Sequence, residues 1–144
     1  MRRAARILSL ALVASCAHGP DAREATVPLE LLAFNDFHGR LLPSADGTGG
    51  AAALAEAIRR HRKPSTLVVS SGDLVGASPL VSSHFHDEPT IEVMNTIGLD
   101  LLGVGNHEFD EGGAELERLR DGGPHPSMEA TTPGFAGSRF RYLS

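Results

Sequence analysis

Thr66-Leu67-Val68-Val69-Ser70-Ser71-Gly72-Asp73 decides how the rest of the chain reads. Four β-branched or apolar residues run without polar alternation, the pattern of a strand buried in a parallel sheet. The run then breaks into small residues and a carboxylate. The same grammar recurs on both sides. Residues 29–34 form an apolar strand broken only by Glu30 that ends in Asn35-Asp36-Phe37-His38-Gly39. Residues 101–104 form a third strand that runs into Gly105-Asn106-His107-Glu108-Phe109-Asp110. Between the strands lie helical patterns. Ala51, Leu54 and Ile58 share one face over 51–62, and Pro64 closes that helix. Pro89 opens a second helix carrying Ile91, Met94 and Ile97, with Gly98 as its stop. A third is expected over 113–120, and Phe140-Arg141-Tyr142-Leu143 opens a further strand. Alternation of this kind predicts an α/β domain with a mainly parallel sheet in βαβαβ order.

Composition narrows what such a domain can do. The chain has 144 residues, 41% hydrophobic and 22% charged, which is a globular profile. Aromatics are 5% with no Trp, so a base-stacking platform is not expected. Thirteen basic residues face eighteen acidic ones, and three of the basic ones (Arg2, Arg3, Arg6) fall within the first six positions. The remaining surface is acidic and unsuited to holding a nucleic-acid polymer by charge. A phosphate-bearing substrate would need a local positive charge, and a metal ion supplies one. The lone Cys16 excludes an intrachain disulfide and a Cys-built zinc site.

The first residues read as an address. A basic start, an apolar run over 7–14 and small residues at Ala14 and Ser15 predict a signal peptide over 1–15. The run is too short to span a bilayer, which takes about 20 residues. Val13-Ala14-Ser15-Cys16 resembles the lipobox of bacterial lipoproteins, which makes Cys16 the lipidated residue and the protein an exported lipoprotein of the cell envelope, periplasmic or at the cell surface. An ordinary secretory signal is the alternative. Residues 16–28 then read as a flexible spacer and 29–144 as the folded body.

In a parallel sheet the carboxyl ends of the strands share one edge, where ligands bind. That edge would gather Asp36 and His38, Asp73, and Asn106 with His107. Carboxylate, imidazole and amide oxygen suit manganese, iron, zinc or magnesium, and an Asp such as Asp73 can bridge two cations. A single Asp or Asn after a strand is a common turn residue; three such clusters in register are not common. His84-Phe85-His86 and Arg40 read as solvated loop and turn residues.

Asn35-Asp36-Phe37-His38-Gly39, Ser71-Gly72-Asp73 and Gly105-Asn106-His107-Glu108-Phe109-Asp110 together resemble the first three motifs of the calcineurin-like metallophosphoesterases. The branch they are most similar to is that of the bacterial 5′-nucleotidases and 2′,3′-cyclic-nucleotide phosphodiesterases. Glu88-Pro89-Thr90-Ile91-Glu92-Val93-Met94-Asn95 and Gly134-Phe135-Ala136-Gly137 share the likeness. The resemblance implies two divalent ions, with Asp36 and His38 on the first, Asp73 bridging, and Asn106 on the second and on the substrate phosphate. It implies that His107, oriented by Asp110, acts on the phosphoryl group or the leaving oxygen. A metal-activated water would remove phosphate from a nucleotide. Glu108 and Phe109 are given a structural role.

The family completes its second metal site with a further His and a Gly-His-x-His motif downstream of the third motif, and this sequence contains neither. On that basis 29–144 is expected to be the N-terminal, incomplete part of a metallophosphoesterase domain. Alternatives are a 2′,3′-cyclic-nucleotide phosphodiesterase, a nucleotide-sugar hydrolase, or an inactive, surface-anchored fragment that only binds metal.

Overall fold

A computed structural model describes residues 26–127 and 132–143. The expected signal peptide, Cys16 and most of the 16–28 spacer lie outside the described residues. Four strands, β1 (Glu30–Phe34), β2 (Thr66–Ser70), β3 (Leu101–Gly103) and β4 (Arg141–Leu143), form one sheet in chain order. Every pairing is parallel, with Phe34 opposite Ser70, Ser70 opposite Leu102 and Leu102 opposite Tyr142. The expected α/β architecture is present.

The connections are α1 (Gly50–His61), the single turn α2 (Leu80–Ser83), α3 (Glu88–Ile97) and α4 (Gly113–Asp121). Helix α3 has Pro89 in its first turn, and Gly98 at φ 81° turns the chain out of it. Only glycine reaches that angle cheaply, so the stop is where the sequence puts it. The turn α2 follows Pro79 and carries no apolar period long enough to announce it.

Right-handed crossovers between neighbouring strands taken in order put every helix on the same face of the sheet. On that face Leu32, Phe34, Val68, Leu102 and Tyr142 pack with Ile58 of α1, Ile91 and Met94 of α3 and Leu119 of α4. Val68, Ile91, Met94 and Leu102 are fully buried. The alternate residues Leu31, Ala33, Leu67, Val69, Leu101 and Leu143 take the opposite face and none belongs to this core. Leu31 is 57% and Leu143 52% exposed. The unbroken apolar run of β2 therefore reflects two apolar faces, of which the helices cover one. Among the described residues no helix is long and apolar enough to cross a membrane.

A buried ion pair fastens α3 to α4. Arg118 lies 2.6 Å from Glu88 and 2.7 Å from Glu115, and Glu88 is wholly enclosed. The other Glu88 oxygen accepts from the Thr132 amide, so the loop before β4 is held by the same carboxylate. Removing one partner strands a buried charge. We therefore expect Arg118→Met to lower stability by about 3–5 kcal/mol, read as a fall in the urea midpoint. A shift below a tenth of that would show the pair to be dispensable.

Candidate metal centre

Three loops leave the carboxyl edges of β1, β2 and β3, and backbone hydrogen bonds zip the first two together beyond the strands. Asp36 N donates to Gly72 O (3.2 Å), His38 N to Asp73 O (3.0 Å) and Gly39 N to Leu74 O (2.9 Å). Asp36, His38 and Asp73 all hold left-handed backbone, at φ 55°, 46° and 55°. Asp visits this region with modest cost, whereas His38 needs its surroundings to hold it there.

The second and third loops cross in contact. A Cβ on Gly72 would lie 2.5 Å from Gly105 N, and one on Gly105 would fall on the Asp73 carboxylate. Both positions require glycine on space alone. Glu108, 4% exposed, binds the crossing from beneath. Its carboxylate accepts from the amides of Asp73 (3.0 Å), Leu74 (2.8 Å) and Gly105 (2.7 Å). Asp73 Oδ1 in turn accepts from His107 N at 3.1 Å.

The donor set fits a divalent cation. His38 Nδ1–H donates to Gly76 O (2.8 Å), which leaves Nε2 as the lone-pair nitrogen, 3.8 Å from Asp36 Oδ1. A backbone carbonyl fixing one ring nitrogen is the usual outer support of a metal-bound imidazole. Ligand atoms of His38, Asp73 and His107 all lie within 4.8 Å of one another. Asp36 adjoins this group through His38 and accepts from the Asn35 amide with its second oxygen. Asn106 is exposed on the third loop, immediately before the short 3-10 turn His107–Phe109.

His107 Nδ1 is bonded to Asp110 Oδ2 at 2.7 Å, and its ring meets that of His38 edge-on with centroids 4.9 Å apart. The hydrogen bond to Asp110 raises the His107 pKa above its ordinary 6.5, burial opposes this, and the charges of Asp110, Asp73 and Glu108 add to the rise. Arg40 is exposed, as expected of a turn residue. His84 is exposed too, but His86 is half-buried and stacks on His125. That pairing escaped the sequence because nothing local links residues so far apart.

No family model matches the chain. Individual proteins do. An Acinetobacter calcoaceticus protein described as "uncharacterized protein in pqq-V 5′ region" is 40% identical over 95% of this chain and 81% of its own length. Endonuclease YhcR of Bacillus subtilis is 42% identical over 79% of this chain and 10% of its own. A 5′-nucleotidase of Vibrio vulnificus is 34% identical over 84% of this chain and 23% of its own. Among solved structures, the calcineurin-like phosphoesterase YfkN from Bacillus subtilis superposes with a TM-score of 0.55 at 26% identity, over 80% of this chain and 36% of that one. This chain's relatives and structural neighbours thus include 5′-nucleotidases and calcineurin-like phosphoesterases, which are hydrolases, and the chain covers only part of each of these. It spans most of one relative and between a tenth and a quarter of the other two.

The Asp110–imidazole pair gives a pH prediction for the metal-free protein. A pKa raised on folding contributes stability fully below the unfolded value of 6.5 and loses it as pH rises through the raised folded value. Asp110→Asn should bring the His107 titration, followed by NMR of the ring protons, down towards 6.5. It should also remove this acid-side gain in stability. An unmoved titration would assign the shift to other groups.

Proposed function

We propose that the protein carrying this chain hydrolyses phosphate esters of nucleotides at the edge formed by the three loops. The observation that carries the reading is the position of Asp73. Its carbonyl is bonded to the β1 loop, its amide to Glu108 and its carboxylate to the His107 amide. One carboxylate is thereby fixed between two sets of donors.

Asp36, His38, Asp73 and Asn106 would hold two divalent cations. When bound, such ions polarise a phosphoryl oxygen and lower the pKa of water. The chain's own groups would do the rest. The Asn106 amide would donate to a phosphate oxygen. His107, kept protonated to higher pH by Asp110, would place positive charge and a proton beside the phosphoryl group or its leaving oxygen. Asp110 acts through His107, setting which ring nitrogen faces the substrate. An overall charge of −5 gives a phosphate no general attraction, so binding rests on these local groups.

We also place the protein outside the cytoplasm, held by acyl chains on Cys16. One chain binds a membrane only marginally, so stable anchoring takes more than one. Membrane fractions should contain the wild type, and Cys16→Ser should move it to the soluble fraction or leave it unprocessed. Equal partitioning of both would reduce the segment to a plain secretory signal.

Hydrolysis is tested on the full protein supplied with manganese, using 5′-AMP and bis(p-nitrophenyl) phosphate. Asp73→Asn should lower kcat/KM about 10²-fold or more, the scale of losing one aligned charge-stabilising group. Arg40→Ala should stay within about twofold. Equal activity of Asp73→Asn and wild type would refute the assignment.

A further inference from the structure

Asp87 immediately precedes α3, a place where an aspartate ordinarily accepts from the amides of the first helical turn. Its carboxylate makes no such bond. It reaches instead to the loop after β2, where Oδ2 accepts from Gly76 N (3.1 Å), while Oδ1 accepts from Ser82 Oγ (2.6 Å). The Ser82 hydroxyl also pairs with Thr90 Oγ1 at 2.7 Å, and both residues are wholly buried. With the Ser82 proton on Asp87, Thr90 is the donor of that pair. The backbone departs from the usual helix start as well. His86 and Asp87 are consecutive left-handed residues, at φ 53° and 57°, where a capping residue is normally extended. The Asp87 side chain thus gives up helix capping for a hold on Gly76.

Gly76 is where the two imidazoles of the candidate centre meet the main chain. Its carbonyl accepts from His38 Nδ1, and a Cβ on Gly76 would lie 2.8 Å from His107 Cβ and 2.7 Å from Asp110 Oδ2. Glycine is the freest residue of a chain, so a carbonyl borne by it stays in place only if something holds it. The placing of that carbonyl decides where the His38 proton sits. Asp36 Oδ1, 3.8 Å from His38 Nε2, is a competing acceptor that favours the opposite tautomer. With its proton on Nε2, the ring has no lone pair there to give a cation.

We infer that Asp87 is a positioning residue of the candidate metal centre: by gripping Gly76 N it holds the Gly76 carbonyl on His38 Nδ1–H and keeps Nε2 free for a cation. It acts through Gly76 and not on the reacting atoms. In this role Asp87 deepens the reading of His38 as a cation donor, on which it rests. Outer partners of this kind orient a ligand without touching the ion.

The test reads the His38 proton directly and needs no turnover. Full protein with isotope-labelled nitrogen is stripped by chelator, and its ring nitrogens are followed by NMR at alkaline pH, where His38 is neutral. Wild type should show the Nδ1–H tautomer. Asp87→Gly removes the carboxylate and suits the left-handed backbone, so a shift cannot be laid to backbone strain. It should bring up the Nε2–H tautomer. Zinc affinity of the same variant, measured by chelator competition, should fall about tenfold or more, the scale of losing an outer partner of a ligand. Asp87→Asn also accepts this backbone and keeps a carbonyl for Gly76 N, so it should restore both readings. Ser82→Ala loosens Asp87 from its other side and should shift both in the same direction by less. An unmoved tautomer or unmoved zinc affinity in Asp87→Gly would overturn the role. An equal loss in Asp87→Asn would make the effect one of charge and overturn it too. Neither outcome bears on whether the centre hydrolyses phosphate esters, which Asp73→Asn decides.

Discussion

The Glu108 carboxylate and its three backbone amides hold the functional edge together. A buried carboxylate is costly unless its charge is met by donors, and here the amides of Asp73, Leu74 and Gly105 meet it. Two of these follow β2 and one follows β3, so a single side chain sets the spacing of two loops. The first loop is attached to the second by backbone hydrogen bonds, so it too depends on Glu108 for its place. Gly72 and Gly105 make this closeness available, because neither crossing point has room for a Cβ. The donors gathered at the edge are thus positioned by a residue whose own carboxylate is taken up by main-chain amides.

Much of this was legible before the coordinates. The apolar runs gave all four strands, since β-branched and aliphatic residues without helical period have few other uses. Pro89 and Gly98 bracketed α3 through backbone rules that hold in any context. The three polar clusters were readable as one site because parallel strands put their carboxyl ends on one edge. Other features depend on contacts that leave no local trace. The turn α2 is too short for a period. Glu108 is given a structural role by its motif, but which amides converge on it leaves no local trace. The stacking of His86 on His125 joins two loops that only the folded chain brings together. The apolar run of β2 reads as a buried parallel strand, and among the described residues the helices cover one of its two faces.

The electrostatics of the edge impose an order on events. Asp36, Asp73, Asp110 and Glu111 all fall on its loops, so the protein alone presents an acidic rim. Cations are drawn to such a rim and phosphates are not. Under the proposed function, charge of the opposite sign would have to arrive first, after which the same rim would accept an anion. The raised pKa of His107 belongs to this balance, since a ring beside carboxylates holds its proton longer.

The unbroken order of the strands gives the sheet a further property, that of a ruler. In sheets whose strand order reverses, helices diverge at the reversal and open a crevice there. Among the described residues the strand order has no reversal, so the candidate donors follow the ends of β1, β2 and β3 in a line. Neighbouring strands lie about 4.8 Å apart, and paired cations in two-metal sites lie about 3.5–4 Å apart. A small inward lean of side chains from adjacent strands is enough to match one spacing to the other. The interval between charges held at this edge would then be set by main-chain hydrogen bonding, the least mutable dimension the chain possesses. Substitutions can change which atoms are offered, but hardly how far apart they stand.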